Sequence, residues 1–563
     1  MTWIREQVRA VALGDWTLEL RDDDLAQLRY RGREVLRSVR AVVRDRDWAT
    51  ATWAVGSIDV GHSEARIPLT SDSFGARFDG SLTVAVEGAS LSATFEAAAD
   101  REFWTNRTGL VVLHPATLSG APLTVTHTSG DVSRIEFPRD IAPHQPAYDI
   151  RSLSSEGVTV VFEGDAFEME DQRNWTDASF KTYSRALADP FPYLLEGPVR
   201  QCVTVMVDEH LTARPADDGS VTSLSFADLH LEETGPVAFS VGASTAPGEG
   251  SVDPVGHDTL VEVDLGWAGW PAVLERAAAG GLPLDVRLVL PLDGAPAAIE
   301  HAIDALQHIP LARITAIQPP THPHEHMVDE DAVRLLRAAL NGRDVPIIGG
   351  TRSHFTELNR GQHLMPENLD GIAFSTTPMF HTRETLQLEQ AIDMQRLVAE
   401  QAVRIASGSP VHVGPVSLLA HLNNVATTDP PSPSVASLSE GYGPELLDAD
   451  DERQRDPELA AWTIASAAAL AVPGVATVSF FEEWGPRGIR SADGSDYPVA
   501  DAIRALAALE GPLVTAREGR IWAIGSAGVL LVANLGEVAR RVRIGGVALE
   551  IEPKEWASVV RSA

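Results

Sequence analysis

The feature that most constrains this chain is a repeated alternation between residues 258 and 510. Short apolar runs at 260–265, 286–292, 314–318, 345–350, 371–375, 411–416 and 476–481 are separated by amphipathic, helix-like segments. Strand, helix and strand in such a series predict parallel βαβ units, because a parallel connection needs a crossover and a helix is the usual one. Seven runs, with an eighth near 512–516, predict a closed (β/α)8 TIM barrel. Chemistry on such a barrel sits where strands end and βα loops begin.

Residues before the barrel read differently. Residues 1–250 hold short alternating strands with turn signals such as Asp79-Gly80 and Ser129-Gly130, and no long helix. They predict an N-terminal antiparallel β-sandwich. Residues 251–511 are then the TIM-barrel catalytic domain, and 512–563, which alternate again, a small C-terminal β-domain. The fold class is multidomain, α/β plus all-β. A Pro-, Ser- and acid-rich interruption at 423–454 falls on the loop side of the barrel, where it forms a lid or a tolerated insertion.

Composition excludes several classes. With 45 basic and 79 acidic residues the net charge is −34, so nucleic acid and anionic membranes are not expected partners. A single cysteine, Cys202, rules out an intrachain disulfide framework and fits a cytoplasmic location. The N-terminus has no apolar signal region, and no apolar run reaches the roughly 18 residues of a membrane span. A homo-oligomer is allowed.

The counted strands place two carboxylates at loop starts. The fourth run leads to Arg352, His354 and Glu357, and the seventh to Glu482 and Glu483. Carboxylates after strands four and seven are the arrangement of a large glycosidase clan, in which one donates a proton and the other attacks the anomeric carbon. The same residues suit lactone hydrolysis: a glutamate activates water, the other protonates the departing ring oxygen, and Arg352 or His354 holds the oxyanion. Glu357 and Glu483 are the catalytic candidates, with Glu482 as the neighbour on the opposite strand face. The run His322-Pro323-His324-Glu325-His326 has the composition of a metal site but not the spacing of a helical His-Glu-x-x-His motif, so no metal and no cofactor are expected.

The densest polar-aromatic stretch lies outside the barrel, at 168–183. It contains Glu168, Glu170, Asp171, Arg173, Asn174, Trp175, Asp177, Lys181 and Tyr183. Asn174, Asp177 and Lys181 are candidates to bind sugar hydroxyls, and Trp175 to stack on a ring face. Lysine occurs only at 181 and 554, which weakens chance composition as the reason for Lys181. The alternative is a buried ion-pair network tying the two domains together. Asn106 and Arg107, in the run 103–109, are further binding candidates.

Asn106-Arg107-Thr108-Gly109, Leu113-His114-Pro115, Pro143-His144-Gln145-Pro146 and the whole run 168–183 resemble the bacterial D-apionate lactonase family. The resemblance spans the chain. It implies an N-terminal β-domain, a TIM barrel and a C-terminal β-domain, with hydrolysis of the carbohydrate lactone D-apionolactone to D-apionate in apiose catabolism. It assigns no catalytic residue. A glycoside hydrolase using the same two glutamates, and a non-catalytic carbohydrate-binding protein, are the other readings.

Overall fold

The computed structural model describes residues 3, 8–21, 23–208, 210, 227–426, 430–544 and 547–560. From Val8–Leu13 to Val199–Val207, 17 of the described N-terminal strands form one continuous sheet, antiparallel wherever they pair, and Trp104–Thr105 pairs apart with Tyr193–Leu194. The sandwich expected from sequence is therefore a single sheet curled over its own core, which includes Trp16, Phe78, Phe95 and Phe167. Alternation along Glu64–Ser73, for example, buries every second residue, as a half-exposed strand requires.

The central unit is an eight-stranded parallel sheet. Its strands are β1 (Ala238–Gly242), β2 (Thr259–Asp264), β3 (Leu284–Val289), β4 (Leu311–Ile317), β5 (Gly349–His354), β6 (Ile372–Thr376), β7 (Val411–Val416) and β8 (Val475–Glu482). Hydrogen bonding runs in the order β4-β3-β2-β1-β8-β7-β6-β5. A parallel bridge between Ile314 and Ile347 joins the two ends of that series, which gives the TIM-like closure.

The strand count corrects the sequence reading. The first strand is Ala238–Gly242, which pairs with β8. It lies in a Gly- and Pro-rich stretch with no periodic pattern, so it reads as a linker. Every later strand therefore moves up by one. The run expected as the eighth belongs to Leu513–Glu518, which is antiparallel in a separate C-terminal sheet with Glu232–Gly235 and Ile521–Gly525.

Among the described residues seven α-helices complete the central unit: α1 (Trp270–Ala278), α2 (Ala295–Ala305), α3 (Glu330–Leu340), α4 (Phe355–Gly361), α5 (Thr385–Ala406), α6 (Glu458–Leu470) and α7 (Val499–Ala507). Every residue of α6 is buried, because the helix touches α5, α7 and the strands Ile521–Gly525 and Val529–Asn534. An alanine-rich helix without a polar face suits that position. Among the described residues no helix is long and apolar enough to cross a membrane.

Candidate active site

The corrected count changes what the glutamates mean. Glu357 lies in the first turn of α4, after β5, and Glu483 follows β8. The residue after β4 is Gln318, whose Nε2 donates to Asp329 at 2.8 Å. The residue after β7 is Ser417, whose hydroxyl donates to the Leu419 carbonyl at 2.7 Å. Neither is a carboxylate, so the two-glutamate glycosidase arrangement is not present on strands four and seven.

Nor do Glu357 and Glu483 share surroundings. Glu357 accepts from Asn424 at 3.0 Å and lies 3.8 Å from Arg360. Burial raises its pKa, and Arg360 partly offsets that. Glu483 is buried among Arg490, Asp253 and Arg276, and burial pushes its pKa up to about 7. Its neighbour Glu482 accepts from Thr245 Oγ1 at 2.6 Å and from Arg487 at 3.1 Å. Arg352 is also committed, since its guanidinium grips Glu262 of β2 with Nε at 3.0 Å and with Nη2. An arginine held in such a fork is a poor free donor to an oxyanion.

The stretch 168–183, by contrast, reaches the barrel. Strands Phe167–Asp171 and Ser179–Tyr183 pair antiparallel and set Glu170 opposite Lys181. Between them a one-turn helix, Gln172–Trp175, is capped by Asp171, whose carboxylate also grips Arg173 at 2.7 Å. Both members of that pair are fully buried, and Arg173 spends its other donors on the carbonyls of Pro138, Arg139 and Asp140. This part of the run is the structural network that the sequence allowed. Asn174 belongs to it: its Oδ1 accepts from Asn359 of α4 at 2.9 Å and its Nδ2 donates to Ala142.

Trp175 is carried to the barrel surface by that turn. Its ring stacks on Phe380 at 4.3 Å and lies 5.5 Å from His354 and 5.6 Å from His381. His354 is thus buried against Trp175 and Phe380. Burial, and then His421, hold its pKa down to about 3, so it stays neutral at physiological pH.

Beside Trp175 a cavity of about 250 Å³ opens between the two domains. Arg44, Arg107, Glu170, Lys181, Arg360 and His381 line it. Lys181 Nζ is 2.9 Å from Glu170, and Arg360 is 3.4 Å from the other oxygen of that carboxylate. Burial pushes the Glu170 carboxyl up, but Lys181 and Arg360 outweigh it and hold the group at about 2. Burial draws the Lys181 ammonium down, and Glu170 offsets part of that. Asp177 stands behind the cavity wall, where its Oδ2 meets His381 Nδ1 at 2.7 Å and its Oδ1 accepts from Gln387 at 2.7 Å. The imidazole therefore presents Nε2 as its remaining nitrogen, and burial draws its pKa below the ordinary 6.5 despite Asp177. A neutral imidazole with a fixed tautomer is the usual makeup of a general base.

Of the residues singled out from sequence, Arg107, Trp175 and Lys181 line this cavity and Asp177 orients one of its side chains. Asn106 does not; its Nδ2 donates to the Arg46 carbonyl at 2.7 Å. Sequence reasoning missed His381, Arg44, Glu170 and Tyr183 as site residues. Glu170 and Tyr183 lay within the quoted run, whereas His381 sits in a loop after β6 that carries no motif. A second polar group lies elsewhere. His322, His324 and Asp329 bring ligand atoms within 4.8 Å of one another, while His326 is buried near Arg352 and His421. Asp329 is already engaged as the cap of α3, accepting from Ala332 at 2.9 Å, and it also bonds Gln318.

Fold and cavity together define a TIM-barrel protein that encloses a small polar space against a curled β-domain. Residues 2–210 match the family description "D-apionate lactonase, N-terminal domain" and residues 256–511 match "D-apionate lactonase, TIM barrel domain". The chain belongs to the D-apionate lactonase family, and it is a hydrolase that opens a lactone. It is 27% identical to the D-apionate lactonase of Brucella anthropi, over 97% of this chain and 96% of that protein. Among solved structures it is similar to a putative aldose 1-epimerase of Escherichia coli K12 (11% identity, TM-score 0.26, 36% of this chain and 99% of that one). It is also similar to a GH39 β-xylosidase of Caulobacter crescentus (12% identity, TM-score 0.29, 55% and 83%). Likenesses that distant carry no mechanistic weight.

Proposed function

We propose that this chain hydrolyses D-apionolactone to D-apionate, as a step in the breakdown of apiose, and that the interdomain cavity is where it does so. The observation that carries the substrate is the similarity to D-apionate lactonase along 97% of the chain. The cavity, about 250 Å³, suits a small sugar lactone better than a polysaccharide. A cytoplasmic site of action is part of this proposal.

In this reading His381 Nε2 removes a proton from water, and the resulting hydroxide attacks the lactone carbonyl. Asp177 keeps Nδ1 protonated and steadies the imidazolium. Charge developing on the carbonyl oxygen is met by the cations at the cavity wall, Lys181 and the two arginines Arg44 and Arg107. The tetrahedral intermediate collapses, the ring C–O bond breaks, and the proton held by His381 passes to the departing alkoxide. The acid so formed ionises at neutral pH. Trp175 offers an apolar face for the carbon skeleton.

The test is proton release in weakly buffered medium with D-apionolactone and a panel of aldonolactones. Fast acid production from D-apionolactone, abolished by His381→Gln in a folded protein, is the expected result. Equal rates in His381→Gln and the parent protein would remove His381 from the mechanism. No reaction with any lactone would remove the substrate assignment.

A further inference from the structure

We infer that the same cavity is a receptor for the carboxylate of a sugar acid, so that the enzyme binds aldonate anions in preference to neutral polyols of the same length. The hydroxyl-bearing part of that ligand rests on the lactone-hydrolase reading. Anion recognition stands on the geometry alone.

In a chain of net charge −34, the cavity gathers four cationic side chains, Arg44, Arg107, Lys181 and Arg360, around one lining carboxylate, Glu170. Lys181 and Arg360 share Glu170. Arg107 is only 3% exposed. Its guanidinium lies 5.0 Å from the Trp48 ring centre and 5.6 Å from those of Tyr183 and Phe191. Nη1 donates to the Asn106 carbonyl at 2.6 Å, while among the described residues the buried Nε and Nη2 make no close hydrogen bond, Tyr183 being the side chain that supports the charge. The carboxylate of Glu168, which acts on Arg107 from nearby, spends its Oε1 on the Tyr183 hydroxyl at 2.6 Å and the Leu187 N–H at 2.8 Å. Arg44 lines the same space, and the carboxylate that acts on it is Glu170, already shared.

A planar guanidinium held by three aromatic rings, with two donors unspent on its edge, matches the fork geometry of a carboxylate. Burying such a cation without an anion in direct contact is costly, and a bound carboxylate supplies that contact. A neutral lactone lacks that charge and gains it only on ring opening, so the product is held more firmly than the substrate. The enzyme is then slowed by its own product and by related hydroxy acids.

The experiment is calorimetric titration of the full chain with the four-carbon aldonates threonate and erythronate and the matching alditols, threitol and erythritol. The aldonates are expected to bind at least about tenfold more tightly, since a hydrogen bond to a charged group is worth roughly ten- to a hundredfold. Arg107→Gln and Arg44→Gln are each expected to reduce aldonate affinity toward that of the alditol, with Arg107→Lys falling between. Where Arg107→Gln does not fold, Arg44→Gln decides. Equal binding of aldonate and alditol by the parent protein, or an undiminished preference in both variants, overturns the inference. A protein that prefers aldonates but opens no lactone refutes the lactonase reading and leaves this one standing. A protein that opens lactones without preferring aldonates does the reverse.

Discussion

His381 Nδ1 lies 2.7 Å from Oδ2 of Asp177, although the two residues are 204 positions apart and belong to different domains. The contact joins the curled β-domain to the loop after β6. In the proposed mechanism it makes a base of which each domain supplies half.

The dyad predicts a pH profile. Burial holds the His381 pKa below 6.5, and only the neutral form accepts a proton. kcat/KM is therefore flat near neutrality and falls on an acid limb below pH 6.5. Asp177→Asn removes the charge that raises this pKa, so the limb moves further down while the plateau drops by about a hundredfold or more. Initial rates from pH 4 to 8 check both. An acid limb that stays put in Asp177→Asn removes Asp177 from the dyad.

Glu483 predicts a stability effect without a catalytic one. Its folded pKa is raised from 4.5 to about 7 by burial. Between those values the folded state holds a proton that the unfolded chain has released, so this group's contribution to stability is lost as pH rises through about 7. Glu483→Gln removes that loss. The variant is expected to gain on the parent protein above pH 7, by at most on the order of 3 kcal/mol, and to keep its lactonase rate within about threefold. Thermal melts at pH 5 and 8 provide the first comparison. A rate loss of a hundredfold would return Glu483 to the active site.

Glu483 and His381 show where the sequence was legible and where it was not. β2, β3, β4, β6, β7 and β8 announce themselves as apolar, β-branched runs buried on both faces. β1 does not, because Ala238–Gly242 is five residues long and sits among glycines and prolines. That one omission moved Glu357 and Glu483 one strand along, onto the two positions that a glycosidase pair occupies. The run 168–183 was legible for another reason: it packs acids, amides, cations and aromatics more densely than a solvated loop requires. Local density located Lys181 and Trp175. No local pattern marks His381, whose meaning comes from Asp177 in the other domain.

Chelation gives a third prediction. The dyad needs no metal, and the His322, His324 and Asp329 group lies on the loop after β4, with Asp329 engaged as the α3 cap. Lactonase activity is expected to survive dialysis against a strong chelator, and His324→Ala to keep at least half the rate. Asp329→Ala instead costs about 1 kcal/mol of stability through the lost cap. Loss of activity on chelation, restored by added zinc, would move the chemistry to that loop.

The last prediction concerns Lys181. Its ammonium is 2.9 Å from Glu170 and 4.8 Å from the Tyr183 ring, and it is mostly buried. Lys181→Met keeps the length of the stem but strips Glu170 of its nearest cation, leaving Arg360 at 3.4 Å. Breaking a buried pair from one side costs about 3–5 kcal/mol. The Glu170 pKa, held at about 2, then rises, because burial is no longer outweighed. A structural role alone predicts that Glu170→Gln in the same chain restores stability and rate together. A role for Lys181 at the oxyanion predicts that the double variant regains its melting temperature while kcat stays at least tenfold down. Melting curves and kcat for both single variants and the double variant separate the two, and recovery of kcat alongside stability would confine Lys181 to balancing the buried charge of Glu170.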